Sequence, residues 1–496
     1  MGQPVGVTHP EPLIDLGQPG DELRSDRGDG GDGGDGPVRT PRGLALTLVV
    51  LLVAAGLVAD TPPPRFTVLF SMVAVHNDFE VLGDRLYLLA GPDTPSQISA
   101  YGLRDGRQLW RTGALTGTSY DTVYQAGGRM LLVPNPCLST SEHVSTVAVE
   151  AASGREVWRR PGVPEWPIAG GRLVVLREAG TGSGCSAAYL PIDAPPDRWT
   201  AVDMATGRPV WTLDIPVLTS VAFDANDDAD LADGGSAGGG RGGGTVAGPR
   251  RAVFVGTDGS VTSRDLATGA VTGRITLPEL ASPAVAGVGT SHTVNGPDLT
   301  VAGTVAVVTR RLGATAELTG YDVVRLNRRW SVRVPVGPAD PRSAGDFVAT
   351  GGCGPMLCVY GPETVFLDPH DGRERWRTTR SIITVQGGNG LFADPTPSGE
   401  EPSRDRLSVY DLRTGRSVVD LSGWRAVSSP RFDRRVPVLA ATVENHTWLA
   451  TLDLARARLT TVGSVAGLYY ACIDANPYLV CRRIDASITV WRTRAR

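Results

Sequence analysis

Short apolar runs of four to seven residues, bounded by glycine, proline or aspartate, recur along the chain from about residue 60 onward. Runs such as Arg85–Ala90 and Arg251–Thr257 alternate apolar with polar side chains or are continuously apolar. This pattern is typical of β-strands and of the hairpins that join them. No apolar stripe at helical spacing extends beyond two turns in this part of the chain. The pattern therefore predicts a fold that is nearly all β.

A set of residues at fixed spacing, which we call the frame, repeats along the same part of the chain. Asp203 is followed four residues later by Gly207 and eight residues later by Trp211. The aspartate position recurs as Gly102, Glu150, Asp203, Asp265, Asp322, Asp368, Asp411 and Asp453, with spacings of 48, 53, 62, 57, 46, 43 and 42 residues. The tryptophan position is occupied by Trp110, Trp158, Trp211, Trp330 and Trp376. A period of this size indicates a modular array, and glycine supplies the positive φ that a tight corner needs.

Each module contains about four short β-type runs, which predicts four-stranded antiparallel blades of a β-propeller. The order of hydrophobic strand, aspartate, Thr-Gly turn and tryptophan resembles the PQQ-type, quinoprotein-like propeller repeat. Quinoprotein alcohol dehydrogenases share that repeat with the outer-membrane assembly lipoprotein of the BAM complex. The resemblance covers residues 77–496. It implies that the five tryptophans dock one blade on the next, and that the junctions at Gly273, Val419 and Thr461, which lack the tryptophan, are built differently.

The ends of the repeat predict how the ring closes. A truncated unit without the tryptophan strand follows Asp453, and Arg65–Val75 is a lone β-type run ahead of the first full module. We predict that the N-terminal strand completes the last blade. A literal count gives eight full units and one shared unit. Because propellers of the resembling family usually have seven or eight blades, we predict eight blades, with seven and nine as the alternatives.

The N-terminal region differs in composition from the repeat. Residues 1–42 are rich in glycine and aspartate and carry eight acidic residues and four arginines, which predicts a disordered tail. Residues 43–59 are uncharged and apolar, long enough for a short transmembrane helix, and a cleaved signal peptide is the alternative. We expect a signal anchor at 43–59, a linker and ring-closing strand at 60–76, and a propeller at 77–496. Arg39 and Arg42 favour a cytoplasmic N-terminus and an extracytoplasmic propeller.

The six cysteines suit that location. Cys353 with Cys358 and Cys472 with Cys481 are spaced to meet across hairpins, and Cys137 and Cys185 remain as a third pair. No pair has the spacing of a zinc site, and the six histidines have no partner at helical spacing. We predict no metal site, although a casual surface calcium site near Asp224 stays open.

The sequence offers little that predicts catalysis. It contains no lysine, which removes Schiff-base chemistry, and Gly234–Gly238 matches a serine hydrolase motif only inside a glycine-rich loop. We predict no catalytic and no cofactor-binding residues. The acidic tail accounts for the net charge of −4, so the propeller is neutral and nucleic acid is not an expected partner.

Two functions remain. The first is a membrane-anchored propeller at the cell envelope that binds a protein, peptide or glycan through one face or through its long insertions. Those insertions are Gly113–Gln125, Arg177–Asp197, Asp224–Pro249 and Pro278–Asp298. The alternative, implied by the resemblance, is a PQQ- and calcium-dependent dehydrogenase. The family's adjacent cysteine pair is missing from this sequence, so we predict that PQQ is not bound.

Overall fold

The computed structural model describes residues 66–493, with gaps at 75–77, 90–96, 114–119, 127, 136–143, 166–170, 179–195, 217–218, 225–248, 282–297, 338–347, 395–402, 428–437 and 444–445. These residues belong to one compact unit, Pro64–Arg496. The expected tail at 1–42 and the expected transmembrane helix at 43–59 lie outside the described residues. Within the described ranges, no helix is long and apolar enough to cross a membrane.

The burial of each strand follows its sequence pattern. The continuously apolar strands are buried on both faces, and the last strand of each module is buried on one face only. Met356–Val359 is buried throughout, whereas burial alternates along Pro209–Ile215. A strand covered on both faces reads as a continuous apolar run, and a half-covered strand reads as an alternation. The described part of the chain is therefore almost entirely β, with one 3-10 turn at Pro278–Leu280.

The described residues form 36 strands in nine four-stranded antiparallel sheets, which we call blades 1 to 9. Blades 1 to 3 consist of β2 (Asp78–Leu82), β3 (Arg85–Leu89), β4 (Ile98–Gly102), β5 (Gln108–Arg111); β6 (Tyr120–Ala126), β7 (Arg129–Pro134), β8 (Ser145–Glu150), β9 (Glu156–Pro161); and β10 (Val163–Glu165), β11 (Leu173–Glu178), β12 (Asp197–Asp203), β13 (Pro209–Ile215). Blades 4 to 6 consist of β14 (Ser220–Phe223), β15 (Arg251–Val255), β16 (Ser260–Asp265), β17 (Val271–Thr276); β18 (Asp298–Ala302), β19 (Val305–Leu312), β20 (Thr315–Asp322), β21 (Arg328–Pro335); and β22 (Thr350–Cys353), β23 (Met356–Val359), β24 (Thr364–Leu367), β25 (Glu374–Thr378).

Blades 7 and 8 consist of β26 (Ser381–Gln386), β27 (Asn389–Asp394), β28 (Ser403–Asp411), β29 (Ser417–Ser422); and β30 (Arg425–Ala426), β31 (Val438–Val443), β32 (His446–Asp453), β33 (Arg458–Ala466). Blade 9 consists of β34 (Tyr469–Ala475), β35 (Tyr478–Arg483), β36 (Ser487–Thr493) and, as its fourth strand, β1 (Phe66–Val73). The first and last strands of the described chain therefore lie side by side, with Val73 opposite Ser487.

The blade number corrects our prediction of eight, because the described residues form nine blades. The truncated C-terminal unit and β1 make a complete sheet with its own buried residues, so it stands as a ninth blade. Nine clusters of buried apolar side chains fill the nine junctions between consecutive blades of the described chain. One of these clusters joins blade 9 to blade 1 through Ile473, Val480, Val81 and Leu86, which closes the ring.

Antiparallel order divides the connections of every blade between two edges. The hairpin between strands one and two, and the corner between strands three and four, lie at one edge, which we call the corner edge. The connection between strands two and three, and the crossover to the next blade, lie at the other, which we call the loop edge. First strands of neighbouring blades contact each other, for example β18 and β22, so they line the centre of the ring.

Candidate interaction surface

The repeated aspartate builds the corner between strands three and four. The Asp203 carboxylate accepts hydrogen bonds from the Thr206 hydroxyl at 2.7 Å and the Thr206 backbone N–H at 2.9 Å. The hydroxyl and backbone bonds lower the pKa of Asp203. Gly207 then takes a φ of 67°, a left-handed conformation. Asp265 and Asp411 make the same bonds with their own threonines. A carboxylate engaged in this way holds a turn.

The five tryptophans lie at junctions between consecutive blades. Each indole Nε1–H donates to the carbonyl of the residue that follows the next anchor, at 2.6 to 3.1 Å: Trp110 to Ala151, Trp158 to Met204, Trp211 to Leu266, Trp330 to Pro369 and Trp376 to Leu412. Each ring also packs on the corner glycine of that blade, namely Gly154, Gly207, Gly269, Gly372 and Gly415. The aromatic rings therefore fill space between blades instead of facing a ligand.

Four junctions of the described blades lack the tryptophan. At Thr461, between blades 8 and 9, the apolar side chains of Val462 and Trp491 fill the junction. The other three use residues that the sequence frame did not identify. Between blades 4 and 5 the Ser263 hydroxyl donates to the Val323 carbonyl at 2.6 Å, opposite Gly273. Between blades 7 and 8 the Asn389 amide donates to the Leu454 carbonyl at 2.9 Å. Between blades 9 and 1 the ring of Phe70 packs on Gly106. The first two supply the same hydrogen bond from a different strand. Ser263 is buried and Asn389 is half-buried, and a polar residue in an apolar strand is the only sequence sign of either.

Three of the frame tryptophans leave no open face on which a quinone could stack. A quinone needs an aromatic face to stack on, but Trp110, Trp158 and Trp330 are at most 9% exposed and their faces are covered by the next blade. In the described ranges, no group of three histidine, cysteine or acidic side chains is arranged to hold a metal ion. The disulfides of the described chain join cysteines five and nine residues apart, so neither makes the ring of adjacent cysteines that the resemblance implies.

The disulfides confirm two of the predicted cysteine pairs. Cys353 bonds Cys358 across the hairpin of β22 and β23, and Cys472 bonds Cys481 at directly opposed positions of β34 and β35. All four are buried in the walls of blades 6 and 9. Cys137 and Cys185 lie outside the described residues, as do Gly234–Gly238 and most of the last three long insertions. The first insertion was predicted too long, because its residues 120–125 belong to β6.

A half-buried carboxylate in blade 3, Glu165, forms part of the blade framework. Burial raises the pKa of Glu165, while the Arg177 guanidinium, whose Nε lies 2.6 Å from the carboxylate, opposes that rise. Arg177 also faces Asp197 at 3.9 Å. The arginine therefore links the first and third strands of the blade.

Exposed apolar side chains instead mark a surface on the loop edge of blade 9. Leu468 precedes the first strand, Ile484 follows the second, and Val73 ends the fourth, with 44%, 68% and 74% of their surfaces exposed. The Ile484 N–H donates to the Leu468 carbonyl at 3.4 Å, and Ala74 N–H donates to Ala486 at 3.2 Å. These bonds place the three apolar residues in a radial row, which we call the blade 9 row. Clustered exposed apolar residues mark interaction sites, whereas isolated ones are ordinary.

Polar and aromatic groups flank the blade 9 row. The Arg483 guanidinium lies 5.9 Å from the ring centre of Tyr469 and 3.6 Å from the Asp485 carboxylate. Hydrogen bonds from Ser487 lower the pKa of Asp485. On blade 8, Trp448 is 43% exposed close to the same edge. An apolar strip with a charged rim and a nearby exposed tryptophan has the composition of a protein-binding surface.

The chain is similar to a known sequence family and to solved structures. A sequence family described as outer membrane protein assembly factor BamB matches residues 94–214 and 197–382. Comparison with curated proteins finds no match. BamB from Moraxella catarrhalis shows 13% identity over 86% of this chain and 99% of that chain, with a TM-score of 0.39. A europium-containing methanol dehydrogenase shows 11% identity over 87% of this chain and 94% of that chain, with a TM-score of 0.38.

Proposed function

The chain belongs to the family of the outer membrane protein assembly factor BamB, and from this membership we propose that it is a protein-interaction scaffold of the cell envelope. In this proposal the chain is anchored in a membrane by residues 43–59 and carries its propeller on the extracytoplasmic side. It binds a partner protein through the blade 9 row. A scaffold of this kind needs a rigid surface rather than catalytic groups.

The blade 9 row is the observation that carries the proposal. Val73, Leu468 and Ile484 come from three separate parts of the chain and meet only because the ring closes between β1 and β36. Folding gains nothing from exposing three large apolar side chains side by side, whereas burying them against a partner is favourable by about 25 cal/mol for each Å² of apolar surface. The row is therefore suited to a protein whose own surface is apolar at this point.

The cysteines support the extracytoplasmic location. Disulfides persist in oxidising compartments and are rare in the cytoplasm. The described chain holds two of them in buried hairpins, Cys353–Cys358 and Cys472–Cys481. Both lie within the blade cores, so they belong to the folded framework. A framework disulfide of this kind is consistent with a propeller that is exported before it folds.

Site-specific photo-crosslinking on intact cells tests the proposal. A benzophenone amino acid is placed in place of Ile484 or Leu468, and, as the matched control, in place of Val210, which is 51% exposed on the outer strand of blade 3. We expect one envelope protein to crosslink from positions 484 and 468 and not from position 210. Introducing Asp at Leu468 should remove the crosslink from position 484. Equal crosslinking from all three positions, or none from the blade 9 row, would contradict the proposal.

A further inference from the structure

Arginines recur at the corner edge of the propeller. The residue after the corner glycine, or after the residue in its place, is arginine in six of the eight corners between strands three and four: Arg107, Arg155, Arg208, Arg373, Arg416 and Arg458. All six are exposed. The blades differ, however, in how this charge is balanced. In blades 2 and 6 acidic neighbours neutralise the arginine charge, because Arg155 pairs with Glu150 and Arg373 pairs with Asp371.

The corners of blades 7, 8 and 1 keep most of their charge free, as does the blade 5 corner with Arg325 and Arg328 on the far side of the ring. The corners of blades 7, 8 and 1 each carry two arginines and one aspartate: Arg413, Arg416 and Asp411; Arg456, Arg458 and Asp453; Arg104, Arg107 and Asp105. The aspartates accept hydrogen bonds from their own turns. Arg456 pairs with Asp453, whereas within the described residues no ion pair forms on Arg104, Arg107, Arg413, Arg416 or Arg458. By contrast, the blade 6 corner, Asp368–Glu374, has three acids and one arginine.

Blade 9 lies between blades 8 and 1, and the described chain begins there. β1 starts at Phe66, opposite Thr493, at the end where the third strand of every other blade turns its corner. Only residues 60–65 separate that point from the apolar segment 43–59. Six residues span about 20 Å at most. The start of β1 and the free arginines of blades 7, 8 and 1 therefore lie in one sector of the corner edge.

We propose that this sector, the corner edge of blades 7, 8 and 1, binds anionic phospholipid headgroups. The inference rests on the membrane anchor of the proposed function and adds an orientation. The corner edge faces the bilayer, and the loop edge with the blade 9 row faces away, toward the partner protein. Guanidinium groups form bidentate hydrogen bonds with phosphate. Each arginine near an anionic surface strengthens binding about fivefold.

Hydrogen exchange of the full chain in lipid nanodiscs tests this. The chain is incorporated into discs of phosphatidylcholine alone or of phosphatidylcholine with phosphatidylglycerol. We expect peptides over 102–108, 411–417 and 453–459 to exchange at least about fivefold more slowly in the anionic discs. Peptides over the blade 6 corner, 368–374, should not change. The protection should vanish in 1 M salt, where the Debye length is about 3 Å.

A pair of charge-reversal variants sharpens the test. Arg413→Glu with Arg416→Glu should abolish the lipid-dependent protection of the blade 7 corner. Arg325→Glu with Arg328→Glu reverses two exposed arginines at the same edge of blade 5, on the far side of the ring, and should leave that protection intact. A chain that separates from the discs refutes the anchor and this inference together. A chain that stays with the discs but shows equal exchange in both lipids refutes this inference alone.

Discussion

Replacing Gly207 by alanine tests whether the repeated corner is a docking device. Gly207 has a φ of 67°, and an added Cβ would lie 2.5 Å from Cγ of Trp158 in the preceding blade. Alanine therefore introduces two separate costs, a left-handed backbone and a displaced tryptophan. The second cost exists only if the ring of Trp158 must remain on that glycine, so the size of the effect measures the docking.

The magnitude follows from the contacts. The left-handed conformation costs an alanine about 1 to 2 kcal/mol. Overpacking at the indole adds about 1 to 3 kcal/mol, and losing the bond from Trp158 Nε1–H to the Met204 carbonyl adds about 1 kcal/mol. We therefore expect Gly207→Ala to lower the free energy of unfolding by about 3 to 6 kcal/mol.

Gly171→Ala is the matched control. Gly171 lies in the same blade with a φ of 69°, and nothing lies within 4 Å of the position of its Cβ. Gly171→Ala should therefore lower the free energy of unfolding only by the cost of the left-handed backbone. Urea unfolding of the full chain in detergent, followed by circular dichroism and tryptophan fluorescence, should show a midpoint that falls roughly twice as far or more for Gly207→Ala. Equal shifts in the two variants would refute the docking role.

Three further predictions concern stability. Asn389→Ala should cost about 1 to 3 kcal/mol in the same assay, because the Leu454 carbonyl loses its donor, whereas Gln108→Ala on an exposed strand should cost little. Replacing Cys472 and Cys481 together by serine should lower the free energy of unfolding by about 2.5 to 3 kcal/mol. A reducing agent should lower the unfolding midpoint of the wild type more than that of the variant, because only the wild type has this disulfide to lose. Because the pKa of Asp203 is lowered by the Thr206 hydroxyl and backbone from 3.8, its contribution is full above pH 3.8 and is lost as pH falls through the lowered pKa. Unfolding midpoints measured from pH 5 downward should therefore fall less steeply for Asp203→Asn than for the wild type.

The repeat frame predicted the blade type and most blade positions, because each blade repeats the same local chemistry. Aspartate, glycine and tryptophan at fixed spacing define a corner, its left-handed residue and the ring that reaches the next blade. Where glycine is missing, the backbone keeps the conformation, with Leu326 at a φ of 58° and Ala457 at 51°. The count of eight was wrong because it relied on the usual blade number of the family. The literal count of eight full units and one shared unit corresponds to the nine blades of the described chain.

The blade 9 row and the substitutes at the degenerate junctions could not be predicted in the same way. Ser263 and Asn389 replace a tryptophan from other strands, so no fixed distance along the chain connects them to the frame. Val73 and Ile484 are far apart in sequence and meet only when β1 pairs with β36. A surface made by ring closure is a tertiary property, and its members look like ordinary strand ends in the sequence.

The most direct test of the central proposal is the affinity of the full chain for the envelope protein identified by crosslinking. The dissociation constant is measured for the wild type, for Ile484→Asp on the blade 9 row and for Val210→Asp on an exposed outer strand. We expect Ile484→Asp to weaken binding by roughly tenfold or more, since a buried unpaired carboxylate opposes association, and Val210→Asp to leave the affinity unchanged. Equal affinities for all three proteins would contradict the proposal that the blade 9 row binds the partner.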